Sequence, residues 1–145
     1  MFCGQGCKRC ESLLDMKCFS CYEGYRLTNF TCQQCQDQNC LNCNVSSILC
    51  NKCREGYTEV NGSCQPCAKN CLKCDKEGAF KCDINSCING YARVDISQCA
   101  ACALGCYSCS PVDVSACISC PIGSFQVQGG QCQLCPSSCI ECTSV

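Results

Sequence analysis

The sequence predicts small disulfide-rich repeats: an elongated rod of tandem cysteine-rich units carrying short β-hairpins, with little regular secondary structure. Three observations lead there. Cysteine supplies 27 of 145 residues, about 19%, far above the roughly 8–10% at which a chain reads as a disulfide scaffold. The cysteines obey one spacing rule along the whole chain. The ordinary material for a core is thin, since Leu, Ile, Val and Phe together also make 27 of 145, just under the roughly 20% below which a core becomes doubtful. Cross-links must therefore replace burial.

The spacing rule sets the units. Each reads CxxC, three or four residues, CxxC, six or seven residues, a third pair, then ten or eleven residues to the next unit. Units open at Cys32, Cys64, Cys99 and Cys132, a period of 32, 35 and 33 residues. A fixed period of this size marks a repeat architecture in which each unit touches its neighbours. The repeats are residues 1–31, whose first cysteine is missing, 32–63, 64–98, 99–131 and a truncated 132–145. One pair is irregular: four residues separate Cys82 and Cys87 instead of two. A disulfide closing about ten residues stabilises by roughly 2.5–3 kcal/mol in the chain-entropy model, so three per repeat rival a typical domain's whole stability of about 5–15 kcal/mol.

Metal is the competing use of CxxC. Zinc sites built from two such knuckles usually hold them about 15–20 residues apart. Here the first two pairs of a repeat lie three or four residues apart, and the chain has no His. The iron-sulfur spacing C-x2-C-x2-C-x3-C-P does not occur either. Disulfides are expected, with no metal and no cofactor.

Gly24, Gly56, Gly90 and Gly123 each stand three residues after the sixth cysteine of a repeat, where a short cross-linked loop must turn and positive φ is inexpensive only for Gly. Tyr25, Tyr57, Tyr91 and, one place later, Phe125 follow, and are expected to cover the neighbouring disulfide. Loops such as "CREGYTEVNGSC" alternate enough to predict a two-stranded hairpin. Three Asn-x-Ser/Thr triplets occur, at Asn29, Asn44 and Asn61, and two of them lie three residues before the cysteine that opens a repeat. N-linked glycans are expected on them.

Several function classes are excluded on composition. Without His, Cys-His and Ser-His-Asp chemistry cannot be built, no Gly-rich phosphate loop occurs, and no enzyme is expected. A net charge of −1 without a basic cluster argues against nucleic acid. Asp75, Glu77 and Asp83 read as a solvated face. All Lys and Arg lie at or before Arg93, giving +2 to that point and −3 beyond it, a polarity that would favour head-to-tail association. No signal peptide precedes "MFCGQGC" and no stretch of about 18 apolar residues occurs, so no membrane span is expected in this window, which reads as a slice of a secreted, extracellular or cell-surface precursor.

The string "CQQCQDQNCLNCNVSSILCNKCREGYTEVNGSCQPC" resembles a furin-like repeat, the cysteine-rich module of growth-factor receptors and proprotein convertase tails, found in long arrays in protist surface proteins. The resemblance covers essentially the whole chain. It implies Cys3 with Cys10, Cys7 with Cys18, Cys21 with Cys32, Cys35 with Cys43, Cys40 with Cys50 and Cys53 with Cys64. It continues with Cys67 and Cys74, Cys71 and Cys82, Cys87 and Cys99, Cys102 and Cys109, Cys106 and Cys117, Cys120 and Cys132, then Cys135 and Cys142. Cys139 is left over, its partner expected beyond Val145. Spacing alone leaves the connectivity open. The expected function is an extracellular structural glycoprotein, a rod of a cell-surface coat or fibril that self-associates. The alternative is a receptor or ligand-binding segment of a membrane-anchored surface protein.

Overall fold

The structure, a computed structural model, describes residues 3–11, 17–137 and 139–142. Among them there is no helix. Fourteen strands of two to five residues form seven antiparallel pairs. The chain divides into two compact units, residues 1–66 and 67–145. In the first, β1 (Cys7–Cys10) pairs with β2 (Cys18–Cys21), β3 (Tyr25–Thr28) with β4 (Thr31–Gln34), β5 (Cys40–Asn42) with β6 (Lys52–Cys53), and β7 (Tyr57–Val60) with β8 (Ser63–Pro66). In the second, β9 (Tyr91–Asp95) pairs with β10 (Gln98–Ala101), β11 (Ser108–Cys109) with β12 (Cys117–Ser119), and β13 (Ser124–Gln126) with β14 (Cys132–Leu134).

Two kinds of hairpin alternate. The pairs β3–β4, β7–β8, β9–β10 and β13–β14 span the segment from a sixth cysteine into the next repeat, where alternation predicted them. The other kind is built on the CxxC segments themselves, as where Cys10 faces Cys18 and Cys40 faces Cys53. Its strands are fixed by cross-linked cysteines and not by an alternating pattern, and each of these three ladders carries a register irregularity, so no sequence pattern announces them.

The widened Cys82–Cys87 pair shows why the spacing matters. Where the other repeats carry a CxxC hairpin, this one has only an isolated bridge between Cys71 and Cys87. The two extra residues are absorbed by a turn in which Ser86 N–H donates to Asp83 O. Asp83 is buried, and its carboxylate accepts from the backbone N–H groups of Lys76 and Glu77 at 3.0 to 3.3 Å. It therefore does not belong to a solvated acidic face as expected. It caps a neighbouring loop, because a buried carboxylate must be satisfied by donors.

The core is cystine. Among the described residues, all the buried apolar ones but Ala68 and Ala92 are cysteines. They gather into clusters, one of Cys35, Cys40, Cys43, Cys50 and Cys64 with Tyr57 against it, another of Cys67, Cys71, Cys74, Cys82 and Cys99 with Ala68 and Tyr91. Leu104, Val112 and Ile122 meanwhile stand almost fully in solvent. The few aliphatic side chains are not what closes the fold.

At three places the Gly-aromatic step joins a repeat to the next by backbone hydrogen bonds. Gly24, Gly56, Gly90 and Gly123 take φ between 81° and 84°, the left-handed region. Gly24 N–H donates to Leu41 O and its carbonyl accepts from Cys35 N–H, both at 2.8 Å. Gly90 repeats the arrangement with Tyr107 and Cys102, and Gly123 with Ile140 and Cys135.

Candidate functional site

The structure joins Cys3 to Cys10, Cys7 to Cys18, Cys21 to Cys32, Cys35 to Cys43, Cys40 to Cys50 and Cys53 to Cys64. In residues 67–145 it joins Cys67 to Cys74, Cys71 to Cys82, Cys87 to Cys99, Cys102 to Cys109, Cys106 to Cys117, Cys120 to Cys132 and Cys135 to Cys142. Cys139 is free and exposed, and its thiol lies 2.7 Å from Glu141 O.

One geometry recurs four times. The N–H of a fifth cysteine donates to the carbonyl of the following hairpin turn: Cys18 to Phe30, Cys50 to Gly62, Cys82 to Ile96 and Cys117 to Gly130. That bond draws the fifth cysteine against the cysteine opening the next repeat. The Sγ atoms of Cys18 and Cys32 come to 3.3 Å, Cys50 and Cys64 to 3.3 Å, Cys82 and Cys99 to 3.5 Å, and Cys117 and Cys132 to 3.3 Å. With the third cysteine of each repeat they form triplets of sulfurs within 4.8 Å of one another: Cys7, Cys18 and Cys32; Cys40, Cys50 and Cys64; Cys71, Cys82 and Cys99; Cys106, Cys117 and Cys132. Every one of these sulfurs is in a disulfide, and a disulfide sulfur is not the thiolate that zinc binds. The spacing rule does not foretell that two cystines stack.

The acceptor triplets fall on turns. Asn29, Asn44 and Asn61 are all exposed. Asn29 and Phe30 form the two-residue turn of β3–β4, with φ of 47° and 61°; Asn61 and Gly62 form that of β7–β8, with φ of 52° and 82°. Positive φ at both positions defines the type I′ turn, for which Asn is a preferred residue. The recurrence of Asn three residues before a repeat thus has a backbone cause, which the sequence reading did not recognise. In the third repeat the corresponding two-residue loop is Ile96-Ser97, and Asp95 supplies the turn chemistry, its Oδ1 accepting from the N–H and the hydroxyl of Ser97 at 3.0 Å. The Ser97 backbone N–H, then its hydroxyl, holds the Asp95 carboxyl below its usual range. The hydroxyl of Ser115, then its N–H, does the same for Asp113.

Residues 67–145 also carry a groove of about 670 Å3, lined among others by Ile84, Tyr91, Arg93, Ile96, Tyr107 and Ile118. The extra residues of the widened pair form one wall. Arg93 is anchored toward Glu77 at 3.6 Å, and Ile84 and Ile118 stand more than half exposed. In residues 1–66 the exposed rings of Phe19 and Phe30 meet edge to face at 6.5 Å, with Lys17 Nζ 5.9 Å from the Phe30 ring centre. No helix among the described residues is long and apolar enough to cross a membrane.

Comparison with protein-family models, with curated proteins and with solved structures finds no match. The cystine-built hairpin repeats are compatible with the cysteine-rich repeat class, and disulfide bonding on this scale suits an oxidising, extracellular environment.

Proposed function

We propose that the chain is part of an extracellular structural glycoprotein, an array of furin-like repeats in a cell-surface coat or fibril, without enzymatic activity, metal or cofactor. The observation that carries this reading is the cystine core. A chain that buries almost nothing but disulfides holds its fold only where thiols stay oxidised. Repetition supports a structural role, since the Gly24 clamp recurs at Gly90 and Gly123 with the same backbone bonds. The exposed Asn29 and Asn61 at hairpin tips, and Asn44, leave room for glycans. Self-association through repeated, open-ended contacts would build a filament from such units.

The groove favours a second reading, a ligand-binding segment of a surface receptor. It lies where the repeat pattern is broken, at the widened Cys82–Cys87 pair, and it is lined by the apolar and aromatic groups a ligand site uses.

Intact mass of protein taken from its source, before and after deglycosylation and reduction, tests the first reading. Mass lost to glycosidase together with fully oxidised cysteines is the expected result. A bare chain with free thiols throughout would overturn compartment and function together.

A further inference from the structure

We propose that each disulfide linking one repeat to the next is backed by a latent second link, reached by thiol–disulfide exchange inside the stacked cystine pair. The second repeat shows the geometry best. The linking bond joins Cys53, half-buried, to Cys64, and the internal bond joins Cys40 to Cys50, both buried. Cys64 Sγ lies 3.3 Å from Cys50 Sγ, nearer than Cys53 Sγ, which is at 3.9 Å. The same contact joins Cys18 to Cys32, Cys82 to Cys99 and Cys117 to Cys132.

Exposure sets the order of events. A monothiol or dithiol reductant reaches the half-buried Cys53 side before the buried Cys40–Cys50 bond. Two electrons from the reductant open Cys53–Cys64 and leave two thiols. Cys64 gives its proton to solvent, and its thiolate attacks Cys50 Sγ. The Cys64–Cys50 bond forms, the Cys50–Cys40 bond breaks, and Cys40 leaves as a thiolate that takes up a proton. This second step consumes no electrons.

In the intact fold Cys64 Sγ is bonded to Cys53 and offers no thiolate, so the exchange does not start. The sulfurs of Cys40, Cys50 and Cys64 all lie within 4.8 Å of one another, too close for Cys64 to stand in line behind the Cys50–Cys40 bond. Release from Cys53 frees the Cys64 side chain to swing into line. The product still ties the repeat to its neighbour, through Cys50 to Cys64, so a surface protein meeting thiols sacrifices an internal bond and keeps the link.

The test uses the full oxidised chain. A phosphine at about pH 3, where thiolates are almost absent, opens the accessible bonds without exchange, and a step to about pH 8.5 releases the exchange. Alkylation and peptide mapping before and after the step identify the free cysteines. The expected result is label on Cys53 and Cys64 before the step, and on Cys53 and Cys40 after it, with a Cys50–Cys64 peptide. Label that stays on Cys64, or a Cys50–Cys53 bond, overturns the proposal. Cys53→Ser gives a reductant-free version, in which label moves from Cys64 to Cys40; if that variant does not fold, the native arm decides alone.

Discussion

Asp37 makes the tie between successive repeats measurable. Its Oδ1 accepts from Asn39 N–H at 2.9 Å within its own loop, and its Oδ2 accepts from Cys64 N–H at 2.8 Å, 27 residues away in the next repeat. Asp37→Asn keeps the size but turns one acceptor into an NH2 donor, so one of the two N–H groups faces another donor. Cys64 is 8% exposed, leaving its N–H little water to turn to. Hydrogen bonds to a charged group contribute about 1.5–3 kcal/mol, which corresponds to roughly 10- to 150-fold in an opening equilibrium. Hydrogen exchange of the Cys64 amide should accelerate by that factor in Asp37→Asn, while amides of β9 and β10 keep their native rates. A Cys64 amide that exchanges at its native rate in the variant would mean that Asp37 does not hold the two repeats together.

Gly6 has φ of 73° and packs so closely on the Tyr25 ring that an added Cβ would overlap it. Gly6→Ala should destabilise this corner by about 2–5 kcal/mol, the sum of left-handed strain and overpacking, read as lost amide protection in β1 and β2. Asn61→Asp should keep the β7–β8 turn yet remove the glycan acceptor, whereas Asn61→Ala should remove both and weaken the hairpin by about 1–2 kcal/mol; mass and hydrogen exchange on the two variants separate sugar from turn. Asp95 and Asp113 titrate below the ordinary 3.8 because they accept hydrogen bonds that only the ionised form fully rewards. Their folded values are depressed, so the stability they contribute is present above about pH 3.8 and is lost as pH falls through the folded values. An NMR titration of the Ser97 and Ser115 amides should show midpoints below that pH, and midpoints at or above it would contradict the turn geometry.

Much of the fold was legible because cysteine spacing and glycine placement are covalent and steric constraints that survive any context. Gly24, Gly56, Gly90 and Gly123 needed positive φ, and all four have it. The hairpin after each sixth cysteine showed as alternation, and β3–β4, β7–β8, β9–β10 and β13–β14 occupy those segments. What stayed hidden depends on contacts between segments. The CxxC hairpins have no period to read, being held by cross-links and irregular ladders. Asp83 looked like one carboxylate among exposed acids, and only the turn forced by the widened pair carries it inward. Asn29 and Asn61 were read for glycan chemistry, while the same residues answer a backbone demand at two I′ turns. Asp37 gave no signal, since its partner is a backbone N–H in another repeat. The stacked cystines arise from hydrogen bonds such as Cys50 N–H to Gly62 O, which no residue pattern encodes.

The most direct test of a fold held by cystine is a disulfide map of the oxidised protein, from proteolysis without reduction and mass spectrometry of the linked peptides. The expected bonds span 7 to 12 residues, with Cys40 to Cys50 and Cys53 to Cys64 in the second repeat and Cys87 to Cys99 after the widened pair. Bonds closed within single CxxC pairs, or a population of free thiols beyond Cys139, would contradict that pattern.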